Sequence, residues 1–139
     1  MVNLSKKKDT NIIAAGSRKR SIARAVLKEG KGLVRVNGQS LEFFRSELVR
    51  MKIREPLLLV GDMANKLHID VTVNGGGVNG QAEAARLAIC RALSEFGGAA
   101  VRKTLGDYDR AFIVADVRRK EVCKPNDSKA RAKRQKSYR

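Results

Sequence analysis

The clearest periodicity in the chain lies in SIARAVLK, where alternate residues divide into two sets. Ser21, Ala23, Ala25 and Leu27 fall on one face; Arg20, Ile22, Arg24, Val26 and Lys28 fall on the other. A period of two is that of a strand, here with small residues inward and an arginine-rich outer face. Ahead of it, NIIAAG (Asn11–Gly16) is a short apolar run, followed by the basic cluster Arg18-Lys19-Arg20. Behind it, Glu29-Gly30-Lys31-Gly32 reads as a turn and Leu33–Val36 as the returning strand of a hairpin. Asn37-Gly38 ends that strand, and Asn37 or Ser40 starts a short helix around Leu41–Phe44.

Between Ser46 and Leu59, Leu48, Val49, Met51 and Ile53 have helical spacing. Pro56 predicts two short helices with the break just before it, because proline disfavours helical backbone in the preceding residue. Leu67, Ile69, Val71 and Val73 then alternate with His68, Asp70 and Thr72, a half-buried strand that leaves His68 as an unpartnered surface residue. Glycine-rich Asn74–Gly80 leads into an amphipathic helix over Gln81–Phe96, whose face is Ala85, Ala88, Ile89, Ala92, Leu93 and Phe96. Gly97-Gly98 stops it, and a shorter helix covers Ala99–Leu105. Ala111–Ala115 reads as an apolar strand buried on both faces. These elements predict an α+β domain, a small sheet with helices packed against it, over residues 11–116. Residues 1–10 form a basic arm. Residues 117–139 hold almost no large apolar side chain and form an extended basic tail.

Of the 139 residues, 42% are hydrophobic but only 4% aromatic, with no Trp, so the core is aliphatic. No apolar run approaches the ~18 residues of a membrane span. The first residues lack an apolar stretch of signal-peptide length, and a cytosolic location is expected. Cys90 and Cys123 lack C-x-x-C spacing; in a reducing compartment Cys90 is expected as a core thiol and Cys123 as an incidental one. One histidine and two scattered cysteines make no metal-ligand cluster.

Charge changes the picture more than any of this. The net charge is +16, and it sits at the ends. Residues 1–35 carry ten Lys/Arg against two acids, residues 36–116 ten against ten, and residues 117–139 ten against two. Two segments of +8 flank a neutral body. Such segments repel themselves unless a polyanion neutralises them, which points to nucleic acid. An anionic membrane fits less well, since the tail has no apolar face for an amphipathic anchor.

Gly75-Gly76-Gly77-Val78-Asn79-Gly80 satisfies G-x-G-x-x-G between a strand and a helix. A dinucleotide fold also needs an acidic residue ending a second strand about 20 residues on. Glu95 at that distance lies within the long helix, and Asp116 comes too late. No Gly-Lys-Ser/Thr follows, so a Walker loop is absent too. The glycines instead make a sharp turn whose thin backbone, at a helix N-terminus, can meet an RNA phosphate. Asp107 and Asp109 are the only close carboxylate pair; Asp109 beside Arg110 is expected to order its turn or offset local charge. Neither an enzyme nor a cofactor is expected.

Four segments, Gly16–Gly38, Asn74–Leu93, Tyr108–Glu121 and Ala130–Arg139, resemble the universal ninth protein family of the small ribosomal subunit in its archaeal and eukaryotic form. The glycine loop followed by Gln81, and the ending KRQKSYR, are specific to that likeness. The resemblance implies a two-layer α+β sandwich, a mixed sheet with a left-handed βαβ crossover, and a non-enzymatic role in translation. It implies binding to ribosomal RNA (rRNA) in the subunit head, beside neighbouring ribosomal proteins. Arg18, Lys19, Arg20 and Arg24 match the family's basic first-strand region that faces rRNA; Gly75, Gly76 and Gly77, with the tail residues Arg118, Arg119, Lys124, Lys129, Arg131, Lys133 and Arg134, are expected to join them in rRNA contact. Lys136, Ser137, Tyr138 and Arg139 match the end that approaches the anticodon arm of the transfer RNA (tRNA) in the ribosome's peptidyl (P) site. One stretch departs from the pattern: Lys124-Pro125-Asn126-Asp127-Ser128-Lys129 stands where the family usually has glycines. The alternatives weighed against this reading are a free nucleic-acid-binding or chaperone-like protein using the same basic arms, and a nucleotide-dependent enzyme on the glycine loop.

Overall fold

The structure is a computed structural model that describes residues 11–125, 129–133, 135 and 137–138. Its elements are β1 (Ile12–Arg18), β2 (Ser21–Glu29), β3 (Val34–Val36), β4 (Gln39–Ser40), α1 (Glu47–Val60), β5 (Leu67–Asn74) and α2 (Val78–Tyr108). The strands form one mixed sheet in the order β1-β2-β5-β3-β4. Both long helices lie on one face of it, giving two layers. The inward set of β2 is the predicted one, with Ser21, Ala23, Ala25 and Leu27 all buried, and β5 buries Leu67, Ile69, Val71 and Val73. Small residues in β1 and β2 let α2 come close. A Cβ on Gly16 would stand 2.4 Å from the Ala84 carbonyl oxygen and 2.6 Å from the Ala88 nitrogen.

Pairing differs from the predicted hairpin. β2 has β1 and β5 as its antiparallel neighbours, so neither edge is free for the returning segment. β3 instead pairs parallel with the far side of β5, and α1 makes the crossover between them. Asn37 (φ 50°) extends this ladder with its side chain: Oδ1 accepts from the Val73 amide (2.8 Å) and Nδ2 donates to the Val73 carbonyl (3.2 Å). It does not start a helix. After β4 the chain makes a single 3-10 turn, Leu41–Phe43, where a short helix is predicted.

α1 runs unbroken through Pro56. The missing N–H and the ring clash work against a helix there, but Val49, Ile53 and Pro56 form its buried face against α2. Glu55, the residue proline restricts, is held by Arg86 (2.8 Å) and by the Tyr108 hydroxyl (3.1 Å). α2 breaks at Gly98 (φ 69°, ψ −155°), as the glycine pair predicts. Ala111–Ala115 is not a strand. Asp109 Oδ1 accepts from the Ala111 amide (2.8 Å) and turns the chain into the 3-10 segment Arg110–Phe112. That turn satisfies the backbone locally and buries Phe112 beneath Tyr108 and Arg86, while Val114 stays exposed.

His68 is not the unpartnered residue expected. It is half-buried, with Nε2 3.1 Å from Asp70 Oδ2. Both cysteines are free; Cys123 is exposed, while burial pushes the Cys90 thiol up to about 12.

Candidate nucleic-acid interface

The register Arg18↔Ser21 leaves Lys19-Arg20 as a two-residue connection between β1 and β2. Lys19 has φ 55°, a positive value that tight hairpin turns require to follow the strand twist. Both cationic side chains are exposed at this corner. β5 pairs Asn74 with Ile22 and therefore delivers the glycine loop to the same corner. Gly75 (φ 74°) and Gly76 (φ 65°) take left-handed backbone and lie against it. A Cβ would stand 2.6 Å from the Arg20 carbonyl oxygen at Gly75, and 2.1 Å from Ser21 Oγ at Gly76.

Ser21 pins the two segments together. Its hydroxyl donates to the Gly75 carbonyl (3.0 Å), which also accepts from Gln81 Nε2 (3.1 Å). It is the buried polar residue among those described. Gly77 caps α2 without a side-chain hydrogen bond, and the Gln81 amide is already bonded to its carbonyl (2.9 Å). The helix thus presents its first N–H groups and its positive dipole end. The result is an open concavity of about 400 Å³ lined by Lys19, Arg20, Ser21 and residues 76–80. Backbone donors, a helix N-terminus and two cations converge on a concavity whose wall at Gly76, Gly77 and Gly80 carries no side chain.

Four of the predicted site residues, Lys19, Arg20, Gly76 and Gly77, line this concavity, and Gly75 forms the turn beneath it. Arg18 faces elsewhere. Its Nε donates to Glu83 Oε2 (2.6 Å), and Nη1 lies 2.9 Å from Asp116 Oδ2, an ion pair without hydrogen-bond alignment. Asp116 also accepts from Arg118 through Nη2 (2.6 Å) and Nε (3.0 Å). Hydrogen bonds from Arg118, reinforced by the charge of Arg18, hold the Asp116 carboxyl far below its ordinary range. Burial alone raises Glu83, but the hydrogen bond and charge of Arg18, with Lys52 and Arg86, outweigh it and leave the carboxyl lowered. Arg24 stands on the open face of the sheet, between Ala15 and Thr72 in the register.

From Ala115 to Lys124 there is neither helix nor strand. Arg119, Lys124, Lys129, Lys133, Ser137 and Tyr138 are exposed. Arg131 Nε donates to Glu121 Oε2 (2.9 Å), and the pair lowers the glutamate. Arg134, Lys136 and Arg139 lie outside the described residues. Reading the sequence missed Ser21, Val78, Asn79 and Gly80 as parts of the site. Ser21 carried a signal, being the one polar residue in the inward set of β2. Among the described residues no group of His, Cys, Asp and Glu is placed to hold a metal ion, and no helix is long and apolar enough to cross a membrane. No parallel strand follows α2 among them, so the glycine loop lacks the second half of a dinucleotide site.

The chain is 45% identical over 129 residues to the small ribosomal subunit protein uS9 of Picrophilus torridus, covering 92% of this chain and 97% of the relative. It is 45% identical over 127 residues to the uS9 of Methanothrix thermoacetophila, covering 91% and 96%. The family model for ribosomal protein S9/S16 matches residues 16–139, spanning the basic turn, the glycine loop and the tail. The chain therefore belongs to the ribosomal protein S9/S16 family, whose members are structural components of the ribosome and not enzymes.

Proposed function

We propose that this chain binds the rRNA of the small-subunit head through the concavity at Lys19, Arg20 and residues 76–80, and reaches the anticodon arm of the P-site tRNA with its tail. The observation that carries the first part is the seating of Gly76 on Ser21. It brings the basic turn and the uncapped start of α2, far apart in sequence, into one open cationic concavity. Arg24 adds a cation on the open sheet face, and Arg119, Lys124, Lys129 and Lys133 add them along the tail. Arg18 has a different part in this reading: already engaged by two carboxylates, it orients the segment from which the tail departs. The support for the tRNA contact is the match of residues 133–139 to the family's ending and the exposure of Tyr138. The chain divides functionally into an arm (1–10), a body (11–116) and a tail (117–139), and works ribosome-bound in the cytoplasm beside other small-subunit proteins. None of these contacts reads bases, which suits a site that must accept every tRNA.

The test is salt dependence. Binding of the purified chain to small-subunit rRNA, followed across salt concentrations, gives a slope set by the number of phosphates neutralised. Lys19→Ala with Arg20→Ala lowers that slope by about 1–2 with the fold intact. An unchanged slope means that the concavity meets no RNA.

A further inference from the structure

α1 has two apolar faces, and only one is used. Val49, Ile53 and Pro56 pack against α2. On the other side Leu48, Met51 and Leu58 are 73%, 56% and 78% exposed, at positions i, i+3 and i+10 of one stripe. With Leu59 and Tyr108 they line an open groove of about 590 Å³. Glu55 lies in the stripe, but its carboxylate is taken by Arg86 (2.8 Å) and the Tyr108 hydroxyl (3.1 Å). The rim charges are cationic: Lys52, only loosely paired with Glu83 at 3.7 Å, and Arg54, which has no carboxylate within ion-pair distance among the described residues.

We propose that this groove docks an acidic amphipathic helix of a neighbouring protein in the ribosomal assembly, a proposal that rests on the ribosomal reading above. Covering these leucine and methionine side chains removes apolar surface from water, a gain that a phosphate backbone cannot supply. The length of the stripe, roughly 15 Å, matches about three turns of a partner helix. Charge selects the occupant. Acidic residues flanking the partner's apolar positions meet Lys52 and Arg54. A second copy would bring another cationic rim and another +16 onto this one. The chain's own tail is equally basic and nearly devoid of large apolar residues.

The experiment places a photo-activatable benzoylphenylalanine at Met51 of the full chain in cells, and purifies small subunits before identifying the cross-link. The expected product is a subunit protein joined through a peptide with acidic residues around helically spaced apolar ones. Leu48→Glu with Leu58→Glu, both at exposed sites, lowers the occupancy of that same protein in subunits about tenfold. Arg54→Glu lowers it less, and the chain itself stays at wild-type stoichiometry. Cross-links to RNA alone, to a second copy, or to nothing overturn the proposal, as does full retention of the partner by the double variant. Absence of the unmodified chain from purified subunits is a different failure: it overturns the ribosomal reading and this proposal with it.

Discussion

Gly76 and Gly77 are adjacent and face opposite constraints. Gly76 combines a positive φ of 65° with a Cβ position 2.1 Å from Ser21 Oγ, whereas Gly77 has φ −108° and nothing within 4 Å of its Cβ position. Gly76→Ala therefore pays both left-handed strain and overpacking, about 2–4 kcal/mol together. Gly77→Ala costs no more than about 1 kcal/mol, the preference for glycine over alanine at a helix cap. It nonetheless adds a methyl to the wall a phosphate would approach, so its rRNA affinity falls while it loses less stability than Gly76→Ala. Urea unfolding and RNA binding measured on both variants check this. Equal destabilisation of the two would contradict the packing of the glycine loop on Ser21.

The Arg18, Glu83 and Asp116 side chains tie β1 to α2 and to the segment where the tail begins. Both carboxyls are lowered, from ordinary values of 4.5 and 3.8, so their contribution to stability is present above those values and lost as pH falls through the lower folded ones. The groups are partly exposed, which limits the effect of Glu83 to about 1 kcal/mol. Between pH 7 and about pH 3 the wild type accordingly loses more stability than Glu83→Gln, read as the change in urea midpoint; identical losses would remove Glu83 from the network. This arrangement shows where reading the sequence stops. Alternation in β2 and β5 identified their buried faces, and Gly97-Gly98 located the break in α2, because such signals are local. The partner of β3, the survival of α1 through Pro56 and the turn at 110–112 depended on neighbours that periodicity does not name. The candidate site divides the same way. Lys19, Arg20 and the glycines were legible as separate segments, but their union through Ser21 and the diversion of Arg18 to Glu83 and Asp116 arise only on folding.

For the chain as a whole, the neutral residues 36–116 lie between two segments of +8. Among the described residues, the fold over 11–116 holds every large fully buried side chain, from Leu27 to Phe112, and the tail holds none. Deleting residues 133–139 is therefore expected to leave thermal stability unchanged within about 0.5 kcal/mol and subunit entry intact, while P-site tRNA is retained less well by the truncated subunits. A truncated chain that fails to enter the subunit contradicts this separation of roles. The most direct measurement is ultraviolet cross-linking in cells, with a stringent wash and sequencing of the attached RNA. Wild-type cross-links should concentrate in small-subunit rRNA, with a share on tRNA anticodon arms that disappears on deleting residues 133–139, and the rRNA share should fall with Lys19→Ala/Arg20→Ala. Cross-links spread over messenger RNA or DNA without ribosomal enrichment would contradict the account.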